Sequence, residues 1–172
     1  MRIIAGKYKG RNLFEPKDGE VIRPTLTRAR ENLFNILASD IPGSSFLDLF
    51  AGTGSVGFEA ESRGARVTLC DSSKVAYDLL VRNKKLLDSP ARIVRGDYSG
   101  ALKSGRYDII FCDPPYESAY LDDVLTRADN VLTENGIIVY ESDSAIVLVR
   151  EDYEIYDSRK YGIAHFAFIR RK

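Results

Sequence analysis

Cys70 and Cys112 are the only cysteines in 172 residues, and they stand far apart in apolar surroundings. Two thiols build neither a disulfide framework nor a four-ligand zinc site, so the sequence is read as metal-free and reduced. His165 is the sole histidine and falls in an apolar strand pattern, which makes it a core or edge residue. Long apolar stretches are missing too. The longest unbroken run is five residues, Ala145 to Val149, whereas a membrane-spanning helix needs about 20. Residues 1–10 lack the apolar core of a secretory signal. The expectation is a cytoplasmic protein with no membrane partner and a monomer by default. There is no internal repeat and no low-complexity segment. With 44% apolar and 29% charged residues, the chain has the composition of a globular domain, not of a disordered one.

Net charge is zero, with 25 basic and 25 acidic side chains, but its distribution is uneven. Residues 1–30 hold eight basic residues against three acids, a net +5, and the remainder carries −5. A basic end on an acidic body fits a polyanion approaching from one side, although an ordinary solvated face gives the same count. Within that end, Arg2–Ala5 and Arg11–Phe14 are predicted to be short strands around a Gly-Lys-Tyr-Lys-Gly turn. After a loop at Pro16–Glu20, Thr25 or Thr27 can cap a helix whose apolar face is Ala29, Leu33, Phe34, Ile36 and Leu37.

From Phe46 onward, strand and helix patterns alternate. Strands are predicted at Phe46–Phe50, Arg66–Cys70, Ala91–Arg95, Tyr107–Cys112 and Gly136–Glu141. Helices are predicted at Gly54–Arg63, Ser73–Leu87, near Tyr98–Lys103 and at Ser118–Leu132. This rhythm implies a parallel sheet covered on both faces. Tyr153–Lys160 and Ile163–Arg170 read as an antiparallel pair at its edge, while Ala145–Arg150 fits no element clearly.

The loop Asp48-Leu-Phe-Ala-Gly52-Thr-Gly54-Ser-Val-Gly57 carries G-x-G-x-x-G between a strand and a helix. Gly52 permits a tight turn, Gly54 lets a ligand approach the backbone, and Gly57 allows the helix to pack closely on the strand. Asp71 follows Gly52 by 19 residues, at the end of the next strand, where a carboxylate can accept ribose hydroxyls. That pattern fits NAD as well as S-adenosylmethionine (AdoMet). Asp48 tilts the choice, because a carboxylate beside a pyrophosphate repels it, whereas it favours the sulfonium and ammonium of AdoMet.

Asp113-Pro114-Pro115-Tyr116 comes straight after a strand and so faces the same crevice as the glycine loop. Asp113 and the Pro114 carbonyl can accept the two N–H groups of an exocyclic nucleobase amine. The prolines fix the turn, and Tyr116 can stack on a base taken out of its helix. The segment is similar to the motif of AdoMet-dependent enzymes that methylate adenine N6, cytosine N4 or guanine N2. Together with Arg2-Ile-Ile-Ala-Gly-Lys-Tyr-Lys-Gly-Arg11, Arg23-Pro-Thr25, Arg28-x-Arg30-Glu-Asn-Leu-Phe-Asn-Ile-Leu37 and Leu47–Gly54, it resembles the RsmD family. These are bacterial methyltransferases of guanine N2 in small-subunit (16S) ribosomal RNA.

The resemblance implies a Rossmann-like α/β methyltransferase with a seven-stranded, mostly parallel sheet and an antiparallel C-terminal strand. Residues 1–22 would form a basic hairpin extension and residues 23–172 the methyltransferase domain. Asp48, Gly52 and Gly54 would hold the methionine part of AdoMet, and Phe50 and Thr53 of the same loop would also bind the cofactor. Asp71 would hold its ribose, Asp97 and Tyr98 its adenine, and Thr25 would close over it. Asp113, Pro114, Pro115 and Tyr116 would hold the guanine. Arg2, Lys7, Lys9, Arg11, Arg23, Arg28 and Arg30 would meet RNA phosphates, with a partly assembled ribosomal particle as the expected substrate. One departure stands out: the family commonly has Glu where this chain has Asp71, with a second acid where it has Ser73. The other readings are a DNA adenine-N6 methyltransferase, a NAD-linked dehydrogenase and a non-catalytic RNA-binding module.

Overall fold

The computed structural model describes residues 1–16, 27–115 and 120–172. Its elements are α1 (Thr27–Ile36), β1 (Ser45–Asp48), α2 (Ser55–Ser62), β2 (Arg66–Asp71), α3 (Lys74–Leu87), β3 (Arg92–Arg95), α4 (Tyr98–Ala101), β4 (Tyr107–Cys112), α5 (Tyr120–Ala128), β5 (Leu132–Ser142), β6 (Tyr153–Tyr161) and β7 (Ala164–Arg171). The seven strands form one sheet in the order β3-β2-β1-β4-β5-β7-β6. β1 to β5 pair in parallel, and β7 inserts antiparallel between β5 and β6. The sheet is thus the mixed, mostly parallel one expected. Parallel strands all end on one edge, and that edge is where an α/β sheet builds its ligand crevice.

Period-two alternation divides the apolar residues between two cores. Phe46, Ile109, Phe111, Val139, Phe166 and Phe168 face one side, where they meet Leu33 and Phe34 of α1, Val56 and Phe58 of α2 and Leu80 of α3. Their neighbours Leu47, Ile110, Cys112, Ile138, Tyr140, Ala167 and Ile169 face the other side and meet Leu121, Val124 and Leu125 of α5. Both cysteines are buried and unpaired.

The N-terminal hairpin differs from its expected form. Its two arms share one isolated bridge, Arg2 with Asn12, instead of two paired strands. The physical reason lies in α2, all eight residues of which are buried. Glu59 accepts hydrogen bonds from the backbone N–H groups of Ile4 and Ala5. The Ser62 hydroxyl accepts from Tyr8 N–H and donates to the Ala5 carbonyl, and Glu61 accepts from the Tyr8 hydroxyl. Backbone bonds still join the arms, from Ile3 N–H to the Arg11 carbonyl, Gly10 N–H to the Ile3 carbonyl and Leu13 N–H to the Met1 carbonyl, while polar side chains of α2 take up Ile4, Ala5 and Tyr8 between them. Ile3, Tyr8 and Leu13 anchor the arm in the first core, each burial contributing roughly 1.5–3 kcal/mol.

Gly6 is the tightest point of this contact. Its φ is +76°, and a Cβ there would lie 1.7 Å from the Ser62 carbonyl oxygen. Gly6→Ala is therefore expected to destabilise the fold by about 2 kcal/mol or more and to lower Tm by roughly 5 °C. Thermal melting checks this, and an unchanged Tm would contradict the docking described.

Two other boundaries are corrected. The helix expected at Ser118–Leu132 ends at Ala128, because Val131 gives its carbonyl to the Tyr107 N–H and so joins the sheet. β5 starts at Leu132, and its pairing with β4 is irregular between Tyr107 and Ile109. Ala145–Arg150 is neither helix nor strand. Most of the loop expected at Pro16–Glu20 and the expected domain boundary between residues 22 and 23 lie outside the described residues. Among the described residues no helix is long and apolar enough to cross a membrane.

Candidate active site

Four aspartates mark the C-terminal edge of the parallel strands. Asp48 ends β1, Asp71 ends β2, Asp97 follows β3 and Asp113 follows β4. A cavity of about 340 Å³ opens between them, within the range usual for small-molecule sites. Eight expected site residues line it: Phe50, Gly52, Asp71, Asp97, Tyr98, Asp113, Pro114 and Pro115. Asp48 and Thr53 line a small adjoining cleft that shares Phe50, Gly52 and Asp113 with the main cavity. Gly54 lines neither. Its φ of +79° and the approach of Phe58 and Leu80, 2.5 and 2.7 Å from a Cβ built there, give it a conformational and packing role instead. Thr25, Arg23 and Tyr116 lie outside the described residues.

The glycine loop is pinned by side chains. Asp71 accepts from the Gly52 N–H through Oδ2 and from the Ser73 N–H through Oδ1. A carboxylate offers about four acceptor positions, so Asp71 keeps capacity for ribose hydroxyls. Asp48 Oδ2 accepts from the Gly57 N–H at 2.9 Å. A Cβ at Gly57 would fall 2.3 Å from Leu69, so glycine is what lets α2 sit on the sheet here.

Asp48 is 1% exposed, and burial pushes its carboxyl up to about 7. The Gly57 N–H works against that rise, while the charges of Asp113 and Asp71 add to it. Asp97 caps α4, and hydrogen bonds from Ser99 hold its carboxyl below the usual range. The Tyr98 hydroxyl donates to Asp123 at 2.7 Å, and chiefly for that reason its phenol is pushed up to about 12.

Tyr120 lines the cavity and was missed in the sequence. Its ring lies 5.8 Å from Phe50 and 5.3 Å from Tyr98, edge-on to both, and Phe50 and Tyr98 are 5.5 Å apart. The three rings make one aromatic wall suited to a nucleobase. Tyr120 follows Asp113-Pro-Pro closely enough for a search of that segment to have found it.

Of the basic residues, Arg2, Lys7, Lys9, Arg11 and Arg28 are exposed. Arg30 is a correction. It is 0% exposed and donates to the Arg2 carbonyl, so it does not face a phosphate. Its place on α1 beside Leu33 and Phe34, at helical spacing, puts it on the buried stripe.

Residues 1–170 match the family described as "Conserved hypothetical protein 95". The chain is 36% identical to ribosomal RNA small subunit methyltransferase D of Escherichia coli K12 over 158 residues, covering 90% of this chain and 76% of that protein. The chain belongs to this methyltransferase D (RsmD) family. It is also 34% identical to the putative rRNA methyltransferase YlbH of Bacillus subtilis, with both chains fully covered. The solved structure of the putative methyltransferase yhhF from Escherichia coli superposes with a TM-score of 0.89 at 33% identity, over 100% of this chain and 98% of that one. The family resemblance read from the N-terminal and glycine-loop motifs is thus shown, and so is the fold.

Proposed function

We propose that this protein is an AdoMet-dependent methyltransferase that modifies the exocyclic N2 of a guanine in small-subunit ribosomal RNA. The observation that carries the reading is the charge of the cavity. Asp71, Asp97 and Asp113 line it, Asp48 adjoins it, and no lysine or arginine is among its described lining residues. A pyrophosphate finds no counter-charge there, and Asp48 occupies the Gly57 N–H near the start of α2, where a dinucleotide would seek helix N–H donors. A phosphate-free, cationic nucleoside suits the same groups. This speaks against a NAD-linked dehydrogenase. Family membership favours small-subunit ribosomal RNA over DNA as the acceptor.

When bound, AdoMet supplies an electrophilic methyl group on a sulfonium. Asp48 and the Gly52–Gly54 loop hold its methionine end, Asp71 its ribose, and Asp97 with the Phe50–Tyr98–Tyr120 wall its adenine. Asp113 and the Pro114 carbonyl accept the two N–H groups of guanine N2. That pulls the nitrogen toward tetrahedral geometry and aims its lone pair at the methyl group. Catalysis is mainly positioning, and the product amine loses its proton readily, so no strong base is required.

The exposed arm, Arg2, Lys7, Lys9 and Arg11, supplies phosphate contacts. Replacing Lys7 and Lys9 by alanine is expected to weaken RNA binding about tenfold at low salt. It should also reduce the slope of log K against log salt by about 1 to 2. An unchanged slope would remove the arm from the interface. The test of the function is transfer from labelled AdoMet to small-subunit particles from cells lacking the protein, beside protein-free RNA and DNA. Label in the particles is expected; label only in DNA would overturn the reading.

A further inference from the structure

The N-terminal arm and the glycine loop meet at one fully buried side chain that neither the basic arm nor the cofactor motif includes. Asn83 of α3 is 0% exposed. Its Oδ1 accepts from the Phe14 N–H at 2.7 Å. Its Nδ2 donates to the Phe14 carbonyl at 3.2 Å and to the Thr53 carbonyl at 3.0 Å. One amide thus grips both polar backbone groups of an arm residue and a carbonyl between Gly52 and Gly54. Two other side-chain pins on this loop region, Asp71 on Gly52 and Asp48 on Gly57, come from the cavity side. Asn83 is the pin from the arm side.

On the surface the same arm residue packs against a cation. The Phe14 ring is 41% exposed, with the Arg82 guanidinium 4.2 Å from its centre. Arg11 donates to the Leu86 carbonyl and so lies along α3 as well. An RNA strand held by the arm therefore bears on the residue whose backbone Asn83 holds.

We propose that Asn83 is a positioning residue that couples the RNA-facing arm to the cofactor loop, so that RNA and AdoMet bind cooperatively. The inference rests on the function proposed above. RNA on the arm fixes Phe14, Phe14 fixes the Asn83 amide, and the amide fixes the Thr53 carbonyl within the loop that receives the methionine end. Coupling of this kind is reciprocal and typically ~5-fold or more.

Two variants test it. Asn83→Ala removes all three hydrogen bonds. Asn83→Asp keeps the acceptor for Phe14 N–H, but a carboxylate there donates to neither the Phe14 nor the Thr53 carbonyl. Binding of labelled S-adenosylhomocysteine, which does not turn over, is measured by equilibrium dialysis with and without small-subunit particles from cells lacking the protein. The wild type is expected to bind at least about 5-fold more tightly with particles. Both variants are expected to bind the nucleoside alone and to lose that enhancement. A purely structural role would lower Tm and leave the enhancement ratio intact, and that outcome overturns the proposal. So does a wild type that binds equally with and without particles. If Asn83→Ala does not fold, Asn83→Asp decides alone: retained enhancement overturns the coupling, and lost enhancement supports it. A wild type that binds no S-adenosylhomocysteine at all overturns the proposed function, and the coupling falls with it.

Discussion

Asp113→Ala is expected to lower kcat for methyl transfer by about 10²–10³ while AdoMet remains bound. The amine of guanine is a poor nucleophile because its lone pair is spread into the ring, and in the proposed function the acceptors at Asp113 and Pro114 localise it. Removing one acceptor raises the barrier by the loss of a charged hydrogen bond and of orientation, about 3–4 kcal/mol. The effect is expected on kcat because the proposed role of the carboxylate is at the reacting nitrogen. Cofactor affinity is expected to hold or improve slightly below neutral pH, since the Asp113 charge is one of the causes that raise Asp48. Asp113→Asn, which keeps one acceptor oxygen, should fall between the two. Single-turnover kinetics with saturating AdoMet reads the difference. Full activity in Asp113→Ala would remove this residue from the chemistry.

The second large effect is a trade of stability against binding at Asp48. Its carboxyl titrates at 3.8 when unperturbed and near 7 in the folded protein. The folded state therefore holds an extra proton between those values. The stabilisation is complete below about 3.8 and is lost as pH rises through about 7. Above neutral pH the fold carries a buried carboxylate that costs at most about 4 kcal/mol. Asp48→Asn removes that charge and keeps an oxygen for the Gly57 N–H. At pH 8 its Tm should exceed the wild type's by several degrees, about 5 °C, with a smaller gap at pH 5. The same substitution should weaken AdoMet binding about 100-fold at pH 8, because on the proposed reading the cationic methionine end loses its counter-charge. In the wild type, AdoMet affinity should rise with pH up to about 7 and then level, with a proton released on binding below it. Calorimetry in two buffers of different ionisation enthalpy measures that proton. A pH-independent affinity, or an Asp48→Asn variant that melts lower at pH 8, would contradict this role for Asp48.

The strand pattern was legible because period-two alternation is enforced by two cores. Tyr107–Cys112 was expected and found with the same ends, and the edge that gathers Asp48, Asp71, Asp97 and Asp113 follows from parallel pairing alone. What stayed hidden depends on tertiary partners. Val131 and Leu132 continue the apolar face of α5 in sequence, yet the Tyr107 N–H takes the Val131 carbonyl into the sheet. The arm reads as two strands, but Glu59 and Ser62 capture its backbone. Arg30 and Asn83 are polar residues on buried helical stripes, and composition assigns such residues to the surface. Only their spacing from Leu33 and Phe34, or from Leu79 and Leu80, hints otherwise. Tyr120 joins Phe50 and Tyr98 from three separate segments, and its nearness to Asp113-Pro-Pro is the local hint of that convergence.

Nucleoside analysis of small-subunit particles after transfer from labelled AdoMet is the most direct test of the proposed chemistry, because it reads the methylated atom itself. The label is expected in N2-methylguanosine, and Asp113→Ala should remove it. Label in N6-methyladenosine would keep Asp113 at the reacting amine but contradict guanine as its base.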